Sequence, residues 1–116
     1  MAPVEPIMGK DTATDPVLDE IVRRIAALHP NAQIILFGSR ATGTYRPDSD
    51  YDLLIITPDV RPDQSASVPI RAALRGIGVG LDLLVLTPAQ WATMRTMRNS
   101  VVREASETGQ VLRAAA

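Results

Sequence analysis

The stretch Ile34–Ile56 reads IILFGSRATGTYRPDSDYDLLII, two apolar runs held apart by a polar loop. The first run, Ile34 to Phe37, stops at Gly38-Ser39. The second, Leu53 to Ile56, starts behind Asp50-Tyr51-Asp52. Short apolar runs bounded by turn residues predict buried strands. We therefore expect a strand over Gln33–Phe37, a single helical turn over Ser39–Thr42 and a loop over Gly43–Pro47. A second strand is expected over Asp50–Thr57, with two carboxylates at its entrance.

Upstream, Asp15-Pro16 is a helix start: an N-cap carboxylate, then proline at the first helical position. Val17, Leu18, Ile21, Val22, Ile25 and Leu28 recur at helical spacing, so one face of this helix is expected to be buried. Pro30 ends it. Arg23 and Arg24 flank the stripe and are read as solvated. His29, the sole histidine, is read as a terminal residue favoured by the helix dipole rather than as a catalytic group. Residues 1–14 carry Pro3, Pro6 and Gly9 with no helical period, which predicts a loose lead-in.

Downstream, Ser65–Arg75 predicts a helix with Val68, Ala72 and Leu74 as apolar contacts, although Pro69 falls inside it. Gly76, Gly78 and Gly80 mark a turn. Leu81–Leu86, LDLLVL, predicts a third strand. Thr87-Pro88 followed by Gln90 predicts a capping box and a helix to about Met97. A last helix is expected from about Ser100 to Glu107, stopping at Gly109. Val111 and Leu112 are expected to add a short terminal strand, and residues 113–116 a frayed tail. The fold class is α/β in the broad sense (α+β), with one domain over residues 15–112.

A chain of 116 residues holds one domain, and an apolar fraction of 46% supports a core of ordinary size. The absence of cysteine removes disulfides, thiolate metal sites and cysteine nucleophiles, and fits a reducing compartment. A net charge of −1 gives no global attraction to nucleic acid or anionic membrane, so no direct nucleic-acid binding is expected. No apolar run approaches the length of a membrane span, and the N-terminus lacks a signal-peptide pattern. The expectation is a soluble, cytoplasmic protein.

Three features carry chemistry. A strand that ends at Gly38-Ser39 and turns into a helix start exposes backbone N–H groups that suit phosphate oxygens, with the Ser39 hydroxyl as a further donor. The alternative is an ordinary strand-to-helix turn. Asp50 and Asp52, two apart on a strand, would share a face at roughly 6.5–7 Å. Such a pair suits Mg²⁺, which takes oxygen ligands and keeps positions for water and substrate phosphates. The alternative is a solvated acidic turn, since Asp48 and Ser49 are adjacent. Asp82 interrupts an aliphatic strand, and a carboxylate buried there needs a metal or a partner. The alternative places it at the strand's mouth, pointing into water.

Together the order is apolar strand, Gly-Ser, ten residues, Asp-x-Asp, apolar strand, then a lone Asp in a later apolar strand. In this the chain resembles the nucleotidyltransferase superfamily of polymerase-β-like fold, in particular its minimal (MNT) members. The resemblance rests on Phe37 to Gly43, on Ser49-Asp50-Tyr51-Asp52-Leu53-Leu54 and on Leu81-Asp82-Leu83. It continues through Thr87 to Trp91 and Glu107 to Leu112, and so covers about residues 15–112.

The resemblance implies a palm-like fold, a mixed sheet of three to four strands backed by helices, with the site at one edge. It implies transfer of a nucleoside monophosphate, usually from ATP, to an acceptor hydroxyl. Gly38 and Ser39 would hold the triphosphate, with Arg40 and Ser49 grouped with them. For Arg40 and Arg46 the competing reading is a surface arginine paired with a nearby Asp. Asp50 and Asp52 would bind two Mg²⁺ ions, and Asp82 would complete the one that activates the acceptor. Small MNT proteins further resemble the antitoxin half of toxin–antitoxin pairs, whose partner is a HEPN-domain ribonuclease adenylylated on a tyrosine. Two alternatives stand beside this. One is a small-molecule transferase of the aminoglycoside-modifying kind. The other is an antitoxin acting by binding alone, for which Trp91–Val102 could be the contact surface rather than a helix pair on the sheet.

Overall fold

The computed structural model describes residues 15–61 and 64–114. The first helix, α1 (Pro16–Leu28), starts where Asp15 Oδ1 accepts the N–H groups of Val17 and Leu18 at 3.0 and 3.1 Å. These bonds satisfy two donors that a helix start otherwise leaves bare. His29 caps its far end, its N–H donating to Ile25 O at 2.8 Å.

Among the described residues four strands form one mixed sheet: β1 (Gln33–Phe37), β2 (Tyr51–Ile56), β3 (Leu81–Leu86) and β4 (Gln110–Arg113), in the order β3-β2-β1-β4. β1 runs antiparallel to both its neighbours, while β2 and β3 run parallel. A parallel pair needs a long crossover. Here residues 57–80 supply it, and within them a 3₁₀ turn (Gln64–Ala66) runs into helix α3 (Ser67–Ala73). One helical turn, α2 (Ser39–Thr42), follows β1, and α4 (Pro88–Met94) and α5 (Val101–Thr108) separate β3 from β4.

Strand alternation sorts the side chains into two cores. Ile34, Leu36, Tyr51, Leu53, Ile55 and Leu83 face α1 and α3 and pack on Leu18, Ile21, Ile25, Ile70 and Leu74. Ile35, Phe37, Leu54, Ile56 and Leu86 face the other way, onto Val102 and Ala105 of α5, with Trp91 and Met94 of α4 alongside. Ile21 and Ile25 have no exposed surface, and burial of that kind stabilises by about 1.5–3 kcal/mol per side chain. The segment Trp91–Val102 is therefore divided. Val102 belongs to the core, while Met97 and Val101 are each 51% exposed.

Several boundaries depart from the sequence-based expectation. β2 starts at Tyr51, leaving Asp50 just ahead of the strand. Pro69 sits in the first turn of α3, where its missing N–H has no helical partner to lose. That helix buries Ile70 and Leu74 but not Val68. The helix expected to reach Met97 ends at Met94; its start carries the capping box, with Gln90 N to Thr87 Oγ1 at 3.2 Å and Thr87 N to Gln90 Oε1 at 2.9 Å. Arg113, expected in a frayed tail, is the last residue of β4, and its guanidinium donates to Ala32 O at 2.6 Å and Pro30 O at 2.8 Å. The lead-in over residues 1–14 and the tail end over 115–116 lie outside the described residues. Among the described residues no helix is long and apolar enough to cross a membrane.

Candidate active site

Strand directions decide what meets. β1 delivers its C-terminal end to the place where β2 and β3 begin, so Phe37 pairs with Asp52 and Asp52 with Asp82. Gly38-Ser39, Asp52 and Asp82 thus share one end of the sheet and span three strands. The resemblance led us to expect the site along an edge. By alternation Asp52 and Asp82 lie on the face that α4 and α5 cover, ahead of Leu54 and Ile56 and of Leu84 and Leu86.

Asp52 is half-buried, and its carboxylate lies against the backbone of Gly38. A Cβ at position 38 would fall 2.1 Å from Asp52 Oδ2, and Gly38 has φ +73° besides. Both the space and the left-handed backbone demand glycine there. The glycine therefore admits Asp52. Asp50, exposed, does the same against Gly80, where a Cβ would lie 2.0 Å from Asp50 Oδ1. The two carboxylates lean to different neighbours, Asp52 toward the end of β1 and Asp50 toward the start of β3. Asp82 is exposed as the second residue of β3, which corrects the reading of a buried carboxylate and matches the alternative at the strand's mouth.

The charges act on one another. Partial burial holds the Asp52 carboxyl above its ordinary range, and the negative charges of Asp82, Asp50 and Glu104 push it further the same way. Glu104 belongs to α5, so that helix carries a fourth acid toward the cluster. A divalent cation suits such a donor set, since its charge opposes the repulsion and carboxylate oxygens are its preferred ligands. As the side chains stand, no three acidic or imidazole groups among the described residues surround a common point. Bringing Asp50, Asp52 and Asp82 onto one ion would take side-chain rotation.

The loop between α2 and β2 is tied down by Arg40. Its Nε donates to Ser49 O at 3.0 Å and a terminal nitrogen to Pro47 O at 3.1 Å. The guanidinium carbon lies 4.0 Å from the Tyr51 ring centroid and 4.6 Å from that of Tyr45. Tyr51, 5% exposed, donates its hydroxyl to Asp15 Oδ2 at 2.8 Å. Burial and that bond push its pKa up to about 12. Ser49 Oγ accepts the Arg46 N–H at 2.9 Å and so closes a turn. Arg46 itself is exposed. At α2 the N–H groups of Ser39 and Arg40 are those a helical turn leaves without internal partners.

The sequence profile of the nucleotidyltransferase domain family matches residues 18–112, nearly the whole described domain. The chain belongs to the nucleotidyltransferase domain family. Two solved structures share the fold of this nucleotidyltransferase domain. One, a toxin–antitoxin crystal structure with AMP-PNP, aligns at a TM-score of 0.62 and 20% identity, over 84% of this chain and 73% of that one. The other, a putative nucleotidyltransferase from Sulfolobus solfataricus, aligns at a TM-score of 0.58 and 23% identity, over 82% and 75%. No curated protein matches the chain.

Three residues around the candidate site were given no part in it by sequence reading. Gly80 had a usable signal, since it stands two residues before Asp82 at a strand entrance. Tyr51 had a weaker one, an aromatic inside Asp-x-Asp. Glu104 had none, because only the packing of α5 on the sheet brings it near Asp52.

Proposed function

We propose that this nucleotidyltransferase is Mg²⁺-dependent and transfers AMP from ATP to a tyrosine hydroxyl of a partner protein, a HEPN-type ribonuclease toxin that it neutralises. The observation that carries the chemistry is the juxtaposition of the Gly38-Ser39 turn with Asp52 and Asp82 at one end of the sheet. The toxin–antitoxin structure of the same fold with AMP-PNP supports the nucleotide and the toxin partner.

In this reading the amides of Ser39 and Arg40 and the Ser39 hydroxyl bind phosphate oxygens at the positive end of α2. Asp50, Asp52 and Asp82 would hold two Mg²⁺ ions. Those ions, when bound, would lower the pKa of the acceptor hydroxyl and steady the pyrophosphate. The acceptor oxygen bonds to the α-phosphorus as the bond to the β-phosphate oxygen breaks, and pyrophosphate leaves in line. Asp82, on the edge strand and exposed, is the carboxylate best placed to meet an acceptor presented by another protein.

The test adds purified protein, Mg²⁺ and ATP labelled at the α-phosphate to lysate of the source cell. Asp50→Asn/Asp52→Asn serves as the control. Label on one protein band, absent with the control, is the expected result. Pyrophosphate release without labelled protein would instead indicate a small-molecule acceptor. A co-purifying partner with neither label nor pyrophosphate would indicate an antitoxin that acts by binding alone.

A further inference from the structure

The hydrogen bonds and ring contacts of the Arg40 side chain fall on the stretch that delivers Asp50 and on the ring of Tyr51 beyond it. Its hydrogen bonds go to Pro47 O and Ser49 O, and its two aromatic neighbours are Tyr45 and Tyr51. The turn it grips is also closed from within, by Ser49 N to Arg46 O at 3.0 Å and Arg46 N to Ser49 Oγ at 2.9 Å. Behind it stands a fixed wall, since Tyr51 is held by the N-cap carboxylate of α1. Among the described residues Arg40 forms no ion pair with an acidic side chain. That excludes the surface-pair reading, and its carbonyl bonds direct the guanidinium into the loop.

We infer that Arg40 is a positioning residue: with its guanidinium held against two tyrosine rings it ties down residues 47–49 and so sets Asp50 against Gly80 at the mouth of β2 and β3. The inference rests on the proposed function for its consequence, which is metal affinity, but not for the clamp itself. Arginine is needed because a planar fork can serve two carbonyls while its faces stack on aromatic rings. A lysine ammonium keeps the charge and loses both.

The test compares wild type with Arg40→Lys, Arg40→Ala and Tyr45→Ala. The last removes one stacking ring from a side chain that is 39% exposed, so the fold is not at risk. Hydrogen exchange of residues 47–52 in metal-free protein is expected to quicken in all three, most in the two Arg40 variants. Mn²⁺ affinity by calorimetry is expected to fall by about tenfold in Arg40→Lys, the size usual for residues that orient metal ligands. Any change in the KM for ATP at saturating metal is expected to be alike in Arg40→Lys and Arg40→Ala, because the guanidinium serves the loop and not a phosphate.

Wild-type exchange and Mn²⁺ affinity in Arg40→Lys would overturn the inference. So would a raised KM for ATP in Arg40→Ala that lysine rescues, since a phosphate contact needs only the charge. Asp50→Asn/Asp52→Asn separates the two levels. If that variant binds Mn²⁺ like wild type, the metal reading fails, and the exchange measurement still decides whether Arg40 holds the loop.

Discussion

Asp52 and Asp82 are register partners on the parallel strands β2 and β3, so two carboxylates stand side by side at one end of the sheet. Asp52 is the more buried, and its raised pKa measures the discomfort. For a carboxyl whose folded pKa lies above its unfolded value near 3.8, stability is greatest below that value and is lost as pH rises through the folded pKa. Asp52→Asn should therefore be more stable than wild type at pH 7, by roughly 0.2–1 kcal/mol. The gain should vanish in strong acid. Urea unfolding at the two pH values checks this, and a less stable variant at pH 7 would mean that Asp52 makes net-favourable contacts.

The same repulsion predicts a metal-linked gain. Mg²⁺ should stabilise wild type, by about 2.7 kcal/mol at one hundred times Kd, and so raise its melting temperature. Asp50→Asn/Asp52→Asn should show no such shift. A scan with and without Mg²⁺ suffices, and equal shifts in both proteins would remove these carboxylates from the metal site.

Gly38→Ala meets two obstacles, a left-handed backbone and the Asp52 carboxylate 2.1 Å from the new Cβ. It should cost about 1–3 kcal/mol. Adding Asp52→Ala removes the clash but not the strained φ, so the two changes together should cost less than their sum by at least about 0.5 kcal/mol. Strict additivity in the double-mutant cycle would mean the two residues do not touch.

Tyr51→Phe removes the bond to Asp15 and should cost about 1 kcal/mol at pH 7. The phenol's pKa is raised from 10 to about 12, so its contribution is fully present below pH 10 and lost as pH rises toward 12. Alkaline titration of stability should therefore show a step in wild type that is absent in the phenylalanine variant.

Asp82→Asn should reduce turnover more than nucleotide binding, because Asp82 is exposed on the edge strand, with β2 between it and the strand that ends at the Gly38-Ser39 turn. Comparing Kd for a non-hydrolysable ATP analogue with the rate of label transfer checks this. Equal losses in both would take Asp82 off the acceptor side.

Much of this domain is written locally. The N-cap of Asp15, the capping box of Thr87 and Gln90, the N-cap of Ser100 and the four strand segments each follow from a few adjacent residues. Propensity, capping and periodicity act within one or two turns, and they need no knowledge of what lies across the fold. Gly38, Ser39, Asp50, Asp52 and Asp82 could be named on the same basis, as small and polar groups set against apolar runs.

What those residues do to one another was decided by the tertiary structure. Nothing near Asp82 in the chain specifies that β3 lies parallel to β2 in a register that pairs it with Asp52. Nothing near Gly38 says that its missing Cβ makes room for a side chain fourteen residues on. Arg40 could have faced phosphate or solvent until the loop folded back and offered it two carbonyls and two rings. The sequence by itself determined which elements form and which of them carry carboxylates. Strand order, parallel pairing and the docking of α5 are set by burying two faces of one sheet at once. That energy is summed over contacts distant in the chain, so only the tertiary structure could say which charges meet.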